Sequence, residues 1–268
     1  MLFSTSVSGF KSLRSKEIVG DVRSLAWSPN GHHLHALNSH ASDLSETSIF
    51  NFYISDDPNL QDQNQTDILA NVTNAEQMVT HPTGNLVYVV VKDTNELVTI
   101  PLQGAHGPIL PSRFKILPSS LDATQYTTST LTISSSRTSL WTLSLSPAQA
   151  VVTVFSLDPM TGVVINAVAR AAWVNQGEAI AQITPAPFVG NDMVAVTNSP
   201  VGMTAFLGLD KGTTAMGEEG DIKAQSDDFL EEVWMLNVKG EAMAAPKLKS
   251  FGRIDLGFGS LGEGVWVD

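Results

Sequence analysis

The chain has 268 residues, of which 43% are hydrophobic and only 16% charged, with a formal net charge of −12 and no cysteine. Disulfides, thiolate catalysis and Cys-ligated metal are therefore excluded. So is a surface made for nucleic acid or anionic membrane, because phosphates and lipid headgroups are repelled by net negative charge. Part of that charge is local: Asp210 to Glu232 carries eight acids against two lysines, the composition of a solvated loop. No apolar run approaches the roughly 20 residues needed to cross a bilayer. The N-terminus has no basic region followed by a long apolar stretch, so no export signal is read and a cytoplasmic protein is expected.

In chain order, residues 1–16 read as two short strands, Leu2–Val7 and Lys11–Lys16, joined at Ser8-Gly9. A repeating grammar then begins. Val22–Trp27, the turn Ser28-Pro29-Asn30-Gly31 and Leu34–Leu37 form a tight hairpin of β-branched and aromatic residues around Pro and Gly. The outer strand of this repeat is Ser48–Ser55, and Asp56 to Asp67 reads as a polar loop. Met78-Val79, His81-Pro82-Thr83-Gly84 and Leu86–Val91 repeat the hairpin about 53 residues later. Glu96–Leu102 and Arg113–Leu117 complete that unit. Thr128–Ile133 and Leu140–Leu145 open a third, with Val151–Leu157 and Val164–Trp173 after them. Ile180–Ile183 and Met193–Thr197 open a fourth, whose third strand is expected at Glu232–Val238, after the acidic stretch, and whose fourth lies near Lys247–Ile254.

A period of 40–55 residues with several strands per unit is the signature of a β-propeller blade. The expectation is an all-β, incomplete propeller forming a single domain over 1–268. It has about four full blades (near 22–70, 76–117, 127–174 and 180–254), an N-terminal half-blade and a C-terminal closing strand at Gly264–Asp268. Open blade edges at the two termini make self-association an expectation too. Trp27, Trp141, Trp173, Trp234 and Trp266 recur on strands and are expected in the core between blades.

The segment Met78-Val79-Thr80-His81-Pro82-Thr83-Gly84-Asn85-Leu86-Val87-Tyr88 resembles a hairpin of the fungal carboxy-cis,cis-muconate cyclases, seven-bladed propellers of the lactonase-like group. Leu2-Phe3-Ser4 to Leu13, Leu25-Ala26-Trp27-Ser28-Pro29 and Gly257-Phe258-Gly259 through Val265-Trp266-Val267-Asp268 are similar to further stretches of that family in the same order. The resemblance is to its C-terminal four to five blades. It implies an intramolecular lyase that closes a lactone on a small unsaturated carboxylate without a cofactor. As the sequences align, the family places an acid/base His where Arg23 stands, a substrate-binding Arg at Glu76, a Glu at Lys92 and a cation near Leu143-Ser144. None is retained by type, and no catalytic residue is carried over.

Within a blade the first strand starts, and its neighbour ends, at one rim of the channel. Arg23, Asn38, Glu76 and Lys92 are therefore the candidate rim residues, with a small organic anion as the expected ligand. A Glu76–Lys92 ion pair is the expected arrangement, which would keep the lysine protonated and unable to act as a base. The alternative to an enzyme is a non-catalytic propeller that binds a small molecule or protein. His33 and His35 have the i, i+2 spacing of two metal ligands on a strand, with His32 and His40 nearby. The position of His35, equivalent to Tyr88 one repeat later, reads instead as blade packing, and no metal is assigned. His81 is expected to bond the backbone of its own turn. Ser134-Ser135-Ser136 lacks a nucleophile elbow.

Overall fold

The computed structural model describes residues 2–6, 9–14, 21–38, 47–54, 65–69, 72–102, 111–174, 181–188, 192–198, 203–210, 234–235 and 247–255. The strands in chain order are β1 (Leu2–Ser6), β2 (Gly9–Arg14), β3 (Val22–Trp27), β4 (His33–Asn38), β5 (Ser48–Tyr53), β6 (Gln65–Leu69), β7 (Ala75–Thr80), β8 (Leu86–Val91), β9 (Glu96–Pro101), β10 (Ser112–Lys115), β11 (Thr127–Ile133), β12 (Ser139–Leu145), β13 (Gln149–Leu157), β14 (Val164–Val174), β15 (Ala181–Pro185), β16 (Met193–Asn198), β17 (Met203–Asp210), β18 (Trp234–Met235) and β19 (Lys247–Asp255). One single-turn 3-10 helix, Ala123–Gln125, precedes β11 and is capped by Asp122.

Four antiparallel meanders are formed: β3–β6, β7–β10, β11–β14 and β15–β16–β17–β19. These are blades 1 to 4 of an incomplete β-propeller. β1 and β2 pair separately as a hairpin, where the two short N-terminal strands were expected. The hydrophobic cores lie between sheets, as radially packed blades require. Leu37 and Ile49 of blade 1 pack with Met78, Val87 and Val89 of blade 2. Tyr88, Val90 and Leu97 pack with Leu131, Leu140 and Phe155 of blade 3. Trp141, Leu143 and Val152 pack with Ile183, Val194 and Leu207 of blade 4. The run Leu86–Val91 is buried throughout because alternate residues serve opposite neighbours: Val87 and Val89 face blade 1, Tyr88 and Val90 face blade 3.

The first strands of successive blades approach one another, which identifies them as the innermost. Side chains tie them across the blade boundary. Met78 N–H donates to Ser24 Oγ at 3.2 Å, Thr80 Oγ1 donates to Trp27 O at 2.6 Å, and Leu131 N–H donates to Gln77 Oε1 at 2.7 Å.

Three expectations are corrected. Gln65–Leu69 pairs with β5 as a fourth strand, so the polar loop of blade 1 ends before Gln65. The third strand of blade 4 is β17, before the acidic stretch, because a short connection already sets Met203 opposite Asn198 and buries Ala205 and Leu207 on blade 3. Trp234–Met235, assigned to blade 4 in sequence, instead adds a fifth strand to blade 3 by pairing with Ala171 and Ala172. Third, Trp141 and Trp173 are buried as expected, but Trp27 is half-exposed, on the face of β3 turned away from blade 2. The closing strand Gly264–Asp268, with Trp266, and His40 lie outside the described residues.

The candidate site at the channel rim

Each of the first three inner strands starts with a β-bulge at the same place. Val22 pairs with Asn38 and Ser24 with Leu37, which leaves Arg23 unpaired. Ala75 pairs with Val91 and Gln77 with Val90, which leaves Glu76 out. Thr128 pairs with Ser144 and Thr130 with Leu143, which leaves Ser129 out. A bulge sharpens the local twist and re-aims the extra residue. Here it recurs every 53 residues and sets Arg23, Glu76 and Ser129 at one end of three adjacent blades. Asn38 and Lys92 lie at that end as well: Asn38 closes β4 opposite Val22, and Lys92 follows Val91 with its N–H bonded to Asn74 O at 3.1 Å. The four residues expected at the rim therefore share one rim. β15 shows no bulge over its described pairs.

The Arg23 guanidinium meets the Asp21 carboxylate at 2.5 Å, with both side chains partly exposed. Such a pair contributes little to stability but orients the arginine. The expected Glu76–Lys92 ion pair is absent among the described residues. Lys92 lies opposite Asn74, and the bulge leaves Glu76 outside the pairing, so the two do not face each other across the ladder. Both side chains are half-buried. Asn38 is fully buried, a structural member of the rim rather than a group open to ligand.

Blade 3 supplies neutral groups. Asn95, held in the left-handed region at φ 49°, donates from Nδ2 to Ala123 O at 2.9 Å and Tyr126 O at 3.0 Å. Its Oδ1 accepts from Thr128 Oγ1 at 2.8 Å, so the Ser144 hydroxyl must donate to Thr128, 2.6 Å away. This buried chain pins the start of β11. It also places a committed hydroxyl, Ser144, where the cyclase resemblance calls for a cation.

Near the bulges, Arg23 and Lys92 are opposed by Asp21, Glu76 and Asp93, the last accepting from Asn74 Nδ2 at 2.7 Å. The rim is thus not strongly cationic. It combines three carboxylates, of which Glu76 has no ion-pair partner among the described residues, two cationic groups and neutral hydroxyls.

Other residues singled out in sequence have structural roles. His81 Nδ1 accepts from Thr83 N–H at 3.2 Å, the turn bond expected of it. Burial, and to a lesser extent the Arg137 charge, lower its pKa, partly offset by Asp158. Its ring and the Tyr88 hydroxyl, which donates to Gly162 O, pack against Gly162, where an added Cβ would lie 2.7 Å from the imidazole. Ser136, Thr138 and Ser139 all donate to buried Asp192 and lock the blade 3 hairpin to blade 4. Asp192 reads in sequence as a turn residue; its buried anchoring role leaves no local pattern. His33 and His35 stack with parallel rings 6.3 Å apart, and no set of three metal-ligating side chains occurs among the described residues.

No protein-family model matches the chain, and no curated protein matches it. Solved structures do. A provisionally named 6-phosphogluconolactonase from Bacteroides fragilis is 14% identical with a TM-score of 0.57, over 92% of this chain and 66% of its own. A second, from Bacteroides uniformis, is 12% identical with a TM-score of 0.54, over 78% of this chain and 60% of its own. Hsv2 of Kluyveromyces lactis is 13% identical with a TM-score of 0.54, over 87% and 61%. The chain thus spans less than two thirds of the length of these structures. At such identities the likeness establishes the fold, a β-propeller.

Proposed function

We propose that the chain is a lactonase-like propeller whose channel rim binds a small lactone or its hydroxy acid and interconverts them. The carrying observation is the recurrent bulge, which brings Arg23 and Glu76 to the rim that also holds Lys92. Likeness to propellers named as lactonases, and the motifs resembling the carboxymuconate cyclases, support the same class. The near balance of charge at the rim suits a neutral lactone ring better than a tricarboxylate. Glu76 acts as the proton acceptor: it takes a proton from water as the water oxygen adds to the lactone carbonyl. Lys92 and Arg23 face the oxyanion that develops. The ring C–O bond then breaks, and the proton passes from Glu76 to the departing alkoxide, leaving a hydroxy acid.

The cyclase reaction of the resembling family is not expected, because the His and the paired cations that align with its machinery are replaced here. Incubated with 3-carboxy-cis,cis-muconate, the chain should lose diene absorbance no faster than buffer. With glucono-1,5-lactone as probe, a pH-stat should record hydrolysis above buffer, and Glu76→Gln should reduce it about a hundredfold. Turnover unchanged in Glu76→Gln removes that residue from the mechanism. If no lactone is turned over, but small carboxylates raise the melting temperature of the wild type and not of Lys92→Ala, the rim is a binding site without chemistry. Neither turnover nor a melting shift sinks the proposal.

A further inference from the structure

At the opposite end of the same two blades, the β3–β4 and β7–β8 hairpin turns enclose a cavity of about 530 Å³. Its volume lies within the range typical of small-molecule sites. Asn30, His33, Asn51, Asn85 and Thr83 line it, with Pro29, Pro82 and Leu102 as apolar walls and His35 beneath. We propose that this cavity binds a small, neutral molecule rich in hydroxyl groups, of the sugar or polyol class.

Charge argues against an ionic ligand. Among the described residues no Lys, Arg, Asp or Glu lines the cavity, so an ionic ligand would find nothing of opposite sign among them to offset its desolvation. His35 adds no cation at neutral pH: burial, with a smaller contribution from His33, lowers its pKa to about 4. The hydrogen-bonding pattern is mixed. His33 Nδ1 contacts Asn51 Oδ1 at 3.0 Å, so Nδ1 carries the proton and Nε2 remains an acceptor. The Asn51 amide N–H groups and the Asn85 side chain have no partner among the described residues. Donors and acceptors present together among the lining side chains suit hydroxyls, each of which gives one hydrogen bond and accepts others.

The walls are already set. Asn30 Oδ1 accepts from Ser28 Oγ at 2.7 Å and from His32 N–H at 3.0 Å. Thr83 is held by His81, and Gly84, at φ 79°, gives the second turn its shape. A preformed site loses little freedom on binding. The two nitrogens of His35 have no hydrogen-bond partner among the described residues and are sealed from solvent beside the stacked His33 ring. A buried polar group left unpaired inside a protein is destabilising. The site therefore carries an unmet polar demand at its base, which a hydroxyl displacing His33 by a small ring rotation would satisfy.

Titration of the full chain with D-glucose and with maltose, followed through the histidine ring carbon–proton NMR signals, tests this. Saturable shifts of His33 and His35 are expected with at least one sugar. Asn51→Ala and, on the exposed turn, Asn85→Ala should each weaken binding about tenfold. Lys92→Ala, at the other end of the blades, should leave it unchanged, which separates this site from the rim. No shift at saturating sugar overturns the proposal, as does binding that survives both asparagine substitutions. Stoichiometric Zn2+ binding that broadens both histidines, with no response to sugar, overturns it in favour of a metal site.

Discussion

Leu25, Met78 and Leu131 occupy one position, spaced by 53 residues, on the inner strands of blades 1, 2 and 3. Each follows the same bulge, and the residue before Leu25 and before Met78 (Ser24 and Gln77) hydrogen-bonds forward to the next blade. Yet Met78 is 3% exposed and Leu131 4%, whereas Leu25 is 60% exposed. The difference lies in what packs behind them. Blade 1 covers Met78 and blade 2 covers Leu131; among the described residues no four-stranded sheet covers Leu25. Trp27, at the position of Thr80, is 51% exposed for the same reason. A blade's core is made between sheets, so one apolar pattern yields a buried residue or an open face according to the neighbour alone.

The comparison predicts unequal costs for one chemical change. Leu131→Ala should destabilise the chain by about 2–5 kcal/mol, since it opens a cavity between blades 2 and 3. Leu25→Ala should stay within about 0.5 kcal/mol, as surface substitutions do. Urea unfolding of the two variants measures both. Similar midpoints would mean that the face of β3 is covered in solution.

A second test uses the two inner packing positions His35 and Tyr88, which alternate strand geometry makes equivalent. Tyr88 satisfies its hydroxyl on Gly162, and burial raises its pKa beyond the accessible range. His35 is buried without a hydrogen-bond partner among the described residues, and its pKa falls from 6.5 to about 4. The unfolded chain thus binds a proton that the folded chain refuses. His35 contributes fully above pH 6.5, and this stability is lost as the pH falls from there towards about 4. The loss is on the order of 3 kcal/mol across that window. His35→Phe should flatten the acid limb of stability against pH, while Tyr88→Phe should not change its slope. An unchanged acid limb in His35→Phe would show that other groups set it.

Repetition made the blades legible in sequence. Leu86–Val91 and Val22–Trp27 are strands by composition and by their place around Pro-x-Gly turns, and the four rim residues follow from strand direction alone. What escaped depends on register or on distant partners. The bulges shift pairing by one residue and leave Lys92 opposite Asn74, so the Glu76–Lys92 pair expected from their shared rim does not form. Trp234 has a strand-like neighbourhood, but only the position of Ala171 and Ala172 on the edge of blade 3 decides which sheet it joins. Asp192 looks like any turn aspartate until three hydroxyls from a hairpin more than 50 residues away are found donating to it. Asn95 likewise reads as a turn residue, though its side chain spans to Thr128.

The smallest effect on stability, and the most direct probe of the open face, concerns association. Sequence reasoning placed the sticky surface at unpaired strand edges; the structure adds an apolar face, with Val22, Leu25 and Trp27 side by side on β3. Exposed apolar patches of this kind mark contact surfaces. Blades 2 to 4 show what such a face accepts: another blade, laid sheet against sheet. We expect the purified chain to associate with rising concentration, by light scattering or sedimentation. Leu25→Ser with Trp27→Ser should move that onset to higher concentration while leaving the urea midpoint nearly unchanged, because neither side chain is buried in the monomer. Association undiminished in the double variant would return the contact to the strand edges. A wild type that stays monomeric throughout would mean that Leu25 and Trp27 face water without consequence.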